Sequence, residues 1–201
     1  MLRTAIVLSL FVGGCVPSLT AQTVLISPTG DGGFETGATF GLNNWLVVNG
    51  AQTNQWVCNT GATAGFSGTR CAYISNNTGG LPPTHTYTNS VFSAVHLYKD
   101  VTFLAGQTSI NFNFAARQTG ETDWDRVLVY ISNGVPGAAP AAGAPVSQST
   151  VLAGYTLLGI VPLNAAWTTY GVTITTAQAG NAAANAARRI LFTWQNDDSV
   201  G

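Results

Sequence analysis

Along most of the chain, apolar and polar residues alternate with a period of two. In "SINFNFAAR" (Ser109 to Arg117), Ile110, Phe112 and Phe114 alternate with polar residues, the pattern of a half-buried strand. "DRVLVYIS" follows from Asp125 to Ser132, then "YTLLGIVPL", "WTTYGVTIT" and "RRILFTWQ". Earlier runs of the same kind are "TVLIS", "NWLVVN", "NQWVCN", "CAYIS" and "VHLYKDVTF". Turn signals stand between them, among them "VNGAQ", "NNTGGLPP", "LAGQ", "RQTGE", "NGVPG" and "PLNAA". About ten short strands joined by short turns predict an all-β fold, an antiparallel β-sandwich of jelly-roll type. Two segments depart from the pattern. "NGVPGAAPAAGAPVSQS" reads as a Pro/Ala/Gly loop too poor in large apolar groups to pack. "TAQAGNAAANAARR" is Ala-rich enough to hold a short helix, with its Asn and Gly residues weighing against one.

The N-terminus changes the picture from fold to compartment. Arg3 precedes the apolar run "AIVLSLFVGG", which is too short to span a bilayer and reads as a signal peptide over residues 1–21, cleaved after Ala21. "VGGC" offers a second reading, a lipobox with Cys15 lipidated. No other run reaches the ~18 apolar residues of a transmembrane helix. The expectation is an exported protein, secreted or held at the cell surface, whose residues 22–201 form one domain without an internal repeat. "LFTWQNDDSVG" closes the chain one loop after a strong strand, so the sandwich is expected to lack its last strand and the chain to be the N-terminal fragment of a longer protein.

Composition narrows the partners. Only 7% of the 201 residues are charged and the net charge is −1, so no field steers nucleic acid or an anionic membrane to this chain. Arg188 and Arg189, the one adjoining basic pair, read as solvated residues entering a strand. With Cys15 removed, Cys58 and Cys71 remain, one in each of two β-type runs. In an exported protein they predict a disulfide closing the Gly/Thr/Ala-rich loop between them, the alternative being two buried thiols.

Candidate chemistry is sparse. "ETDWD" sets Glu121, Asp123 and Asp125 two apart, on one face if the segment is a strand. As a glycosidase pair, Glu121 and Asp125 would stand ~13 Å apart on a regular strand, against the 5–9.5 Å such carboxylates need. Glu121 also follows "RQTG", which places it in a turn. The other readings are a solvated hairpin tip and a cation site using Asp125 alone or with Asp123. His85 and His96 have no partner at zinc spacing. Of Trp45, Trp56, Trp124, Trp167 and Trp194, all but Trp124 lie in apolar runs and read as core; any left exposed would be a stacking surface for sugar rings.

The series "GGFETGATFGLNNWLVVNGAQTNQW", "AYISNN", "VHLYKDVTFLAGQTSINFNF", "YTLLGIVPLNAAWTTYGVTI" and "RILFTWQNDDSVG" resembles, in order, the choice-of-anchor J domain. That is a secreted bacterial jelly-roll module related to cleaved-adhesin and, more distantly, MAM domains. The resemblance covers Val24 to Gly201. It implies a non-catalytic adhesion or glycan-binding module that opens a larger secreted or surface protein, with further domains downstream and often a type IX secretion signal. The partner would be an extracellular glycan or surface protein. The alternatives are a glycoside hydrolase-like sandwich and an accessory module of a secreted protease. The resemblance also implies an acidic ligand at the "GGFE" position. The glycine-rich bend "GDGGFETG" can turn carbonyls inward, so a structural calcium is expected at Glu35, with Asp125 as its partner and Asp31 as a weaker candidate.

Overall fold

The computed structural model describes residues 23–59, 65–78, 85–143 and 150–198. The signal peptide and Cys15 lie outside them. Among the described residues there are nine strands, no α-helix and a single 3-10 turn at Gly41–Asn43. The strands are β1 (Leu46–Val48), β2 (Gln55–Asn59), β3 (Cys71–Ser75), β4 (Ser93–Phe103), β5 (Ser109–Gln118), β6 (Arg126–Ser132), β7 (Tyr155–Ile160), β8 (Asn164–Thr175) and β9 (Ala186–Asn196). The fold is all-β, and every strand pair is antiparallel.

One five-stranded sheet runs in the order β1-β4-β9-β6-β7. Two smaller pieces, the hairpin β2-β3 and the pair β5-β8, pack against one of its faces. The period of two explains the arrangement. Val101 and Phe103 of β4, Val129 and Ile131 of β6 and Ile190 of β9 meet Phe112 of β5 and Ile174 of β8 in one core cluster. Val95 and Leu97 of β4 and Trp194 of β9 meet Trp56 and Cys58 of β2 in a second. Phe192, between them on β9, packs against both.

The opposite face of the sheet is buried too, and by an unexpected cover. The described part of the Pro/Ala/Gly loop read as too poor to pack, residues 133–143, lies over it together with Thr150 and packs through its backbone. Ala141 O meets His96 Nε2 at 3.3 Å, Gly137 O accepts from Arg189 Nη1 at 3.0 Å, Thr150 O accepts from the Tyr130 hydroxyl at 3.1 Å, and Gly143 N donates to Ala94 O at 2.8 Å. Small residues let carbonyls approach polar side chains that would be costly to bury unpaired. On the same face, Leu128, Tyr130 and Leu191 form a third apolar cluster, covered by Tyr98, Leu152, Tyr155 and Leu157.

Four further expectations are corrected. "TVLIS" forms no strand; Leu25 and Ile26 instead pack on the core without a ladder. The Ala-rich stretch forms turns, with Gly180, Asn181 and Asn185 at φ of 64°, 53° and 60°, a left-handed backbone no helix tolerates. Arg188 and Arg189 are not solvated but only 5% exposed each. Arg189 grips Asp100, its cross-strand neighbour, through two nitrogens at 2.7 and 3.0 Å and lies over the Tyr98 ring, while Arg188 donates to the Ala179 and Ala187 carbonyls. Cys58 and Cys71 are both free thiols. The register sets Cys58 opposite Ala72 and Cys71 opposite Asn59, so the two side chains point to opposite faces of the hairpin. Cys58 lies in the core beside Trp56, where burial pushes its thiol up to about 11.

Candidate functional site

The acidic residues singled out in the sequence hold loops. In the bend from Ser27 to Glu35, Asp31 Oδ1 accepts the Ser27 N–H at 2.8 Å, and Oδ2 lies 2.9 Å from the Lys99 ammonium. Burial acts to raise the Asp31 carboxyl, but the Lys99 and Ser27 donors outweigh it and hold the group below its ordinary range. The cation beside this bend is Lys99 itself. Glu35 reaches the hairpin instead. Its carboxylate accepts the Arg70 N–H at 2.7 Å, the Thr69 N–H at 2.8 Å and the Thr69 hydroxyl at 2.9 Å, and these bonds keep it low. Gly68 (φ 84°) makes the approach possible, since a Cβ there would fall 2.5 Å from a Glu35 carboxylate oxygen.

Asp125 belongs to a different locus. It immediately precedes β6 and is 2% exposed. Its Oδ2 accepts from the Tyr87 hydroxyl and, at 2.8 Å, from the Glu121 N–H; Oδ1 is buried with no hydrogen-bond partner among the described residues. Burial, then the neighbouring carboxylate, raise the Tyr87 phenol far above its ordinary value. Gly120 is needed for the closure, because a Cβ there would fall 2.8 Å from Asp125 Cβ. Glu121 to Trp124 form the turn, with Asp123 exposed at φ 72°. The carboxylates of Glu121 and Asp125 therefore do not share a strand face, and Asp125 is enclosed. Glu35 and Asp125 bind separate partners. Among the described residues, no group of three or more His, Cys, Asp or Glu side chains could hold a metal ion.

The tryptophans divide differently from the sequence expectation. Trp45, Trp56 and Trp194 are core, at 4%, 8% and 4% exposure. Trp167 is half-buried on the outer face of β8, beside a fault in the β5-β8 ladder. Ala116 pairs with Thr168, but the next pair is Gln118 with Asn164, so Arg117 faces the three residues Ala165, Ala166 and Trp167. Such a bulge bends the strand and re-aims its side chains. Asn164 holds it: its Oδ1 accepts the Ala166 N–H at 2.9 Å, and its Nδ2 donates to the Thr168 hydroxyl at 2.9 Å. The exposed Arg117 guanidinium lies 5.2 Å from the centre of the Trp167 ring, and Phe66, 58% exposed, lies 6.1 Å from it.

Beneath this surface the aromatic contacts continue into the core. Tyr170 stacks on Phe114 at 5.6 Å, and Phe114 meets Phe192 edge-on at 5.1 Å. The Arg117 charge extends beyond its own strand. His85, its ring edge-on to Tyr73 at 4.2 Å, is held below its ordinary pKa by burial and then by Arg117; the Cys71 thiol is raised by burial and partly lowered again by Arg117. The alternating strand ending in "AARQTG" foretold Arg117 on a polar face, but neither the bulge nor Phe66 beside it has a sequence signal.

No family model matches the chain, and no curated protein matches it. Among solved structures, the enzymatically active domain of tailspike protein 4 of bacteriophage CBA120 is similar at a TM-score of 0.48 and 11% identity, over 88% of this chain. The chain spans 20% of that structure's length, and at this level of similarity no activity transfers.

Proposed function

We propose that the chain is a non-catalytic carbohydrate-binding module of an exported protein, with Trp167 as its stacking platform. One observation carries the reading: the Asn164-braced bulge holds a large indole half out of the surface, between Phe66 and Arg117, on a strand whose other exposed residues are mostly small and polar. The C–H face of a pyranose stacks on such a ring, and hydroxyls and guanidinium beside it receive the sugar's own hydroxyls. Thr169 of β8, exposed and two residues beyond Trp167 on the same face, offers one such hydroxyl. Asp125, the most buried of the candidate carboxylates among the described residues, is enclosed by Tyr87 and the Glu121 turn and does not serve the platform as an acid or base. The jelly-roll arrangement, attachment to further domains and display outside the cell are parts of this proposal. Among the described residues no helix is long and apolar enough to cross a membrane. The test is retention of the full chain on a panel of insoluble polysaccharides, followed by calorimetric titration with the soluble fragments of any that retain it. Trp167→Ala should abolish retention; a variant that binds as well as the parent would refute the reading.

A further inference from the structure

The platform is not bare. The Arg117 guanidinium lies 5.2 Å from the Trp167 ring centre, so a ligand that stacks on the indole must first draw that cation aside. A cation–π contact at an exposed site is weak, whereas a charge-assisted bond from a guanidinium to a carboxylate is among the stronger polar contacts a surface makes. A neutral sugar offers only hydroxyls to a guanidinium it displaces. A sugar carrying a carboxylate offers the guanidinium a charge-assisted bond and uncovers the indole in the same movement. We infer that the ligand is a uronate-bearing polysaccharide, its carboxylate received by Arg117 while its ring stacks on Trp167. The inference rests on the carbohydrate reading above and names the class of sugar.

Three further features agree with it. The bulge sets Arg117 alone against three residues of β8, so the two partners of a stacked acidic ring sit on facing strands of one ladder. Arg117 is the one charged group that bears on His85 and on Cys71, and its effect on both is that of a positive field. An Arg fork matches a carboxylate in two bonds where a Lys would offer a point charge, which gives orientation as well as attraction.

The test uses the full chain with polygalacturonate and with alginate, each beside its methyl ester, which keeps the backbone and removes the charge. Titration calorimetry should show at least one acidic polymer bound tenfold or more tightly than its ester. The margin should shrink in 1 M salt, where the screening length falls to about 3 Å. Arg117→Gln should remove the preference while leaving weak binding to both forms. Trp167→Ala should lose both forms. Equal binding of acid and ester, still abolished by Trp167→Ala, would overturn the acidic ligand and leave the carbohydrate reading standing. Binding of neither form, while a neutral polysaccharide is retained through Trp167, would overturn it in the same way. Binding of no polysaccharide at all would overturn both.

Discussion

β8 and β9 are nearly the same length, 12 and 11 residues, and both carry a tryptophan, yet they do opposite work. β9 sits in the middle of the five-stranded sheet, bonded to β4 on one side and β6 on the other. Its burial does not alternate, because the two smaller strand pairs cover one face and the Pro/Ala/Gly loop covers the other. β8 is bonded only to β5, and Ile174 is its one fully buried residue. A strand covered on both faces cannot take an extra residue without breaking two ladders and two packed layers. A strand covered on one face can. The bulge, with the half-buried indole beside it, falls where the fold tolerates irregularity.

The largest expected effect breaks the comparison from the β9 side. Trp194→Ala should cost about 3–5 kcal/mol, the usual range for removing a large buried aromatic, read as a fall in the denaturant midpoint. A loss under about 1 kcal/mol would mean that the β9 core is not what holds the sheet. Next comes the loop-covered face. Asp100→Asn leaves the buried Arg189 guanidinium without its counter-charge; since Asp100 itself is 42% exposed, about 1–2 kcal/mol is expected, short of a fully buried pair. Glu35→Gln weakens the clip between the N-terminal bend and the hairpin and should cost about 1 kcal/mol in the same assay.

Acid acts on the same covered face. His96 is fully buried against Thr193 and Ala141, and burial holds its pKa below the ordinary 6.5. A lowered histidine contributes stability that is fully present above the unfolded value. That contribution is lost as pH falls from about 6.5 toward the folded value, because the unfolded chain takes up the proton first. Thermal midpoints should therefore decline through that window, and His96→Gln should flatten the decline. Asp31 and Glu35, both lowered, act in the same direction further down: their contribution is present above about 4 and disappears as pH drops through their folded values.

The alternation that marks a strand was legible where a strand has one open face, and together with the apolar run of β9 and the turn signals it placed all nine strands close to their observed positions. It failed where something other than a ladder buries the chain. Leu25 and Ile26 are apolar because they pack, not because they pair. The Ala-rich stretch has helix composition, but its glycine and asparagines take left-handed turns. In the loop over the outer face, Val135 is 80% exposed and the packing is done by backbone groups, which leave no apolar signal in the sequence. Register is not written in spacing, so two cysteines in adjacent strands looked bridgeable until their offset by one residue put them on opposite faces. Trp167 was hidden in the same way: an apolar run containing a tryptophan reads as core, whereas the period of two sets Trp167 on the outer face with Thr169, Gly171 and Thr173.

The most direct test of this division sets the unfolding midpoint of Trp167→Ala beside its polysaccharide binding. The account predicts a stability change of about 1 kcal/mol or less, the size of a surface contact, with binding weakened at least tenfold. A variant that unfolds as readily as Trp194→Ala, or one that keeps both its midpoint and its binding, would contradict it.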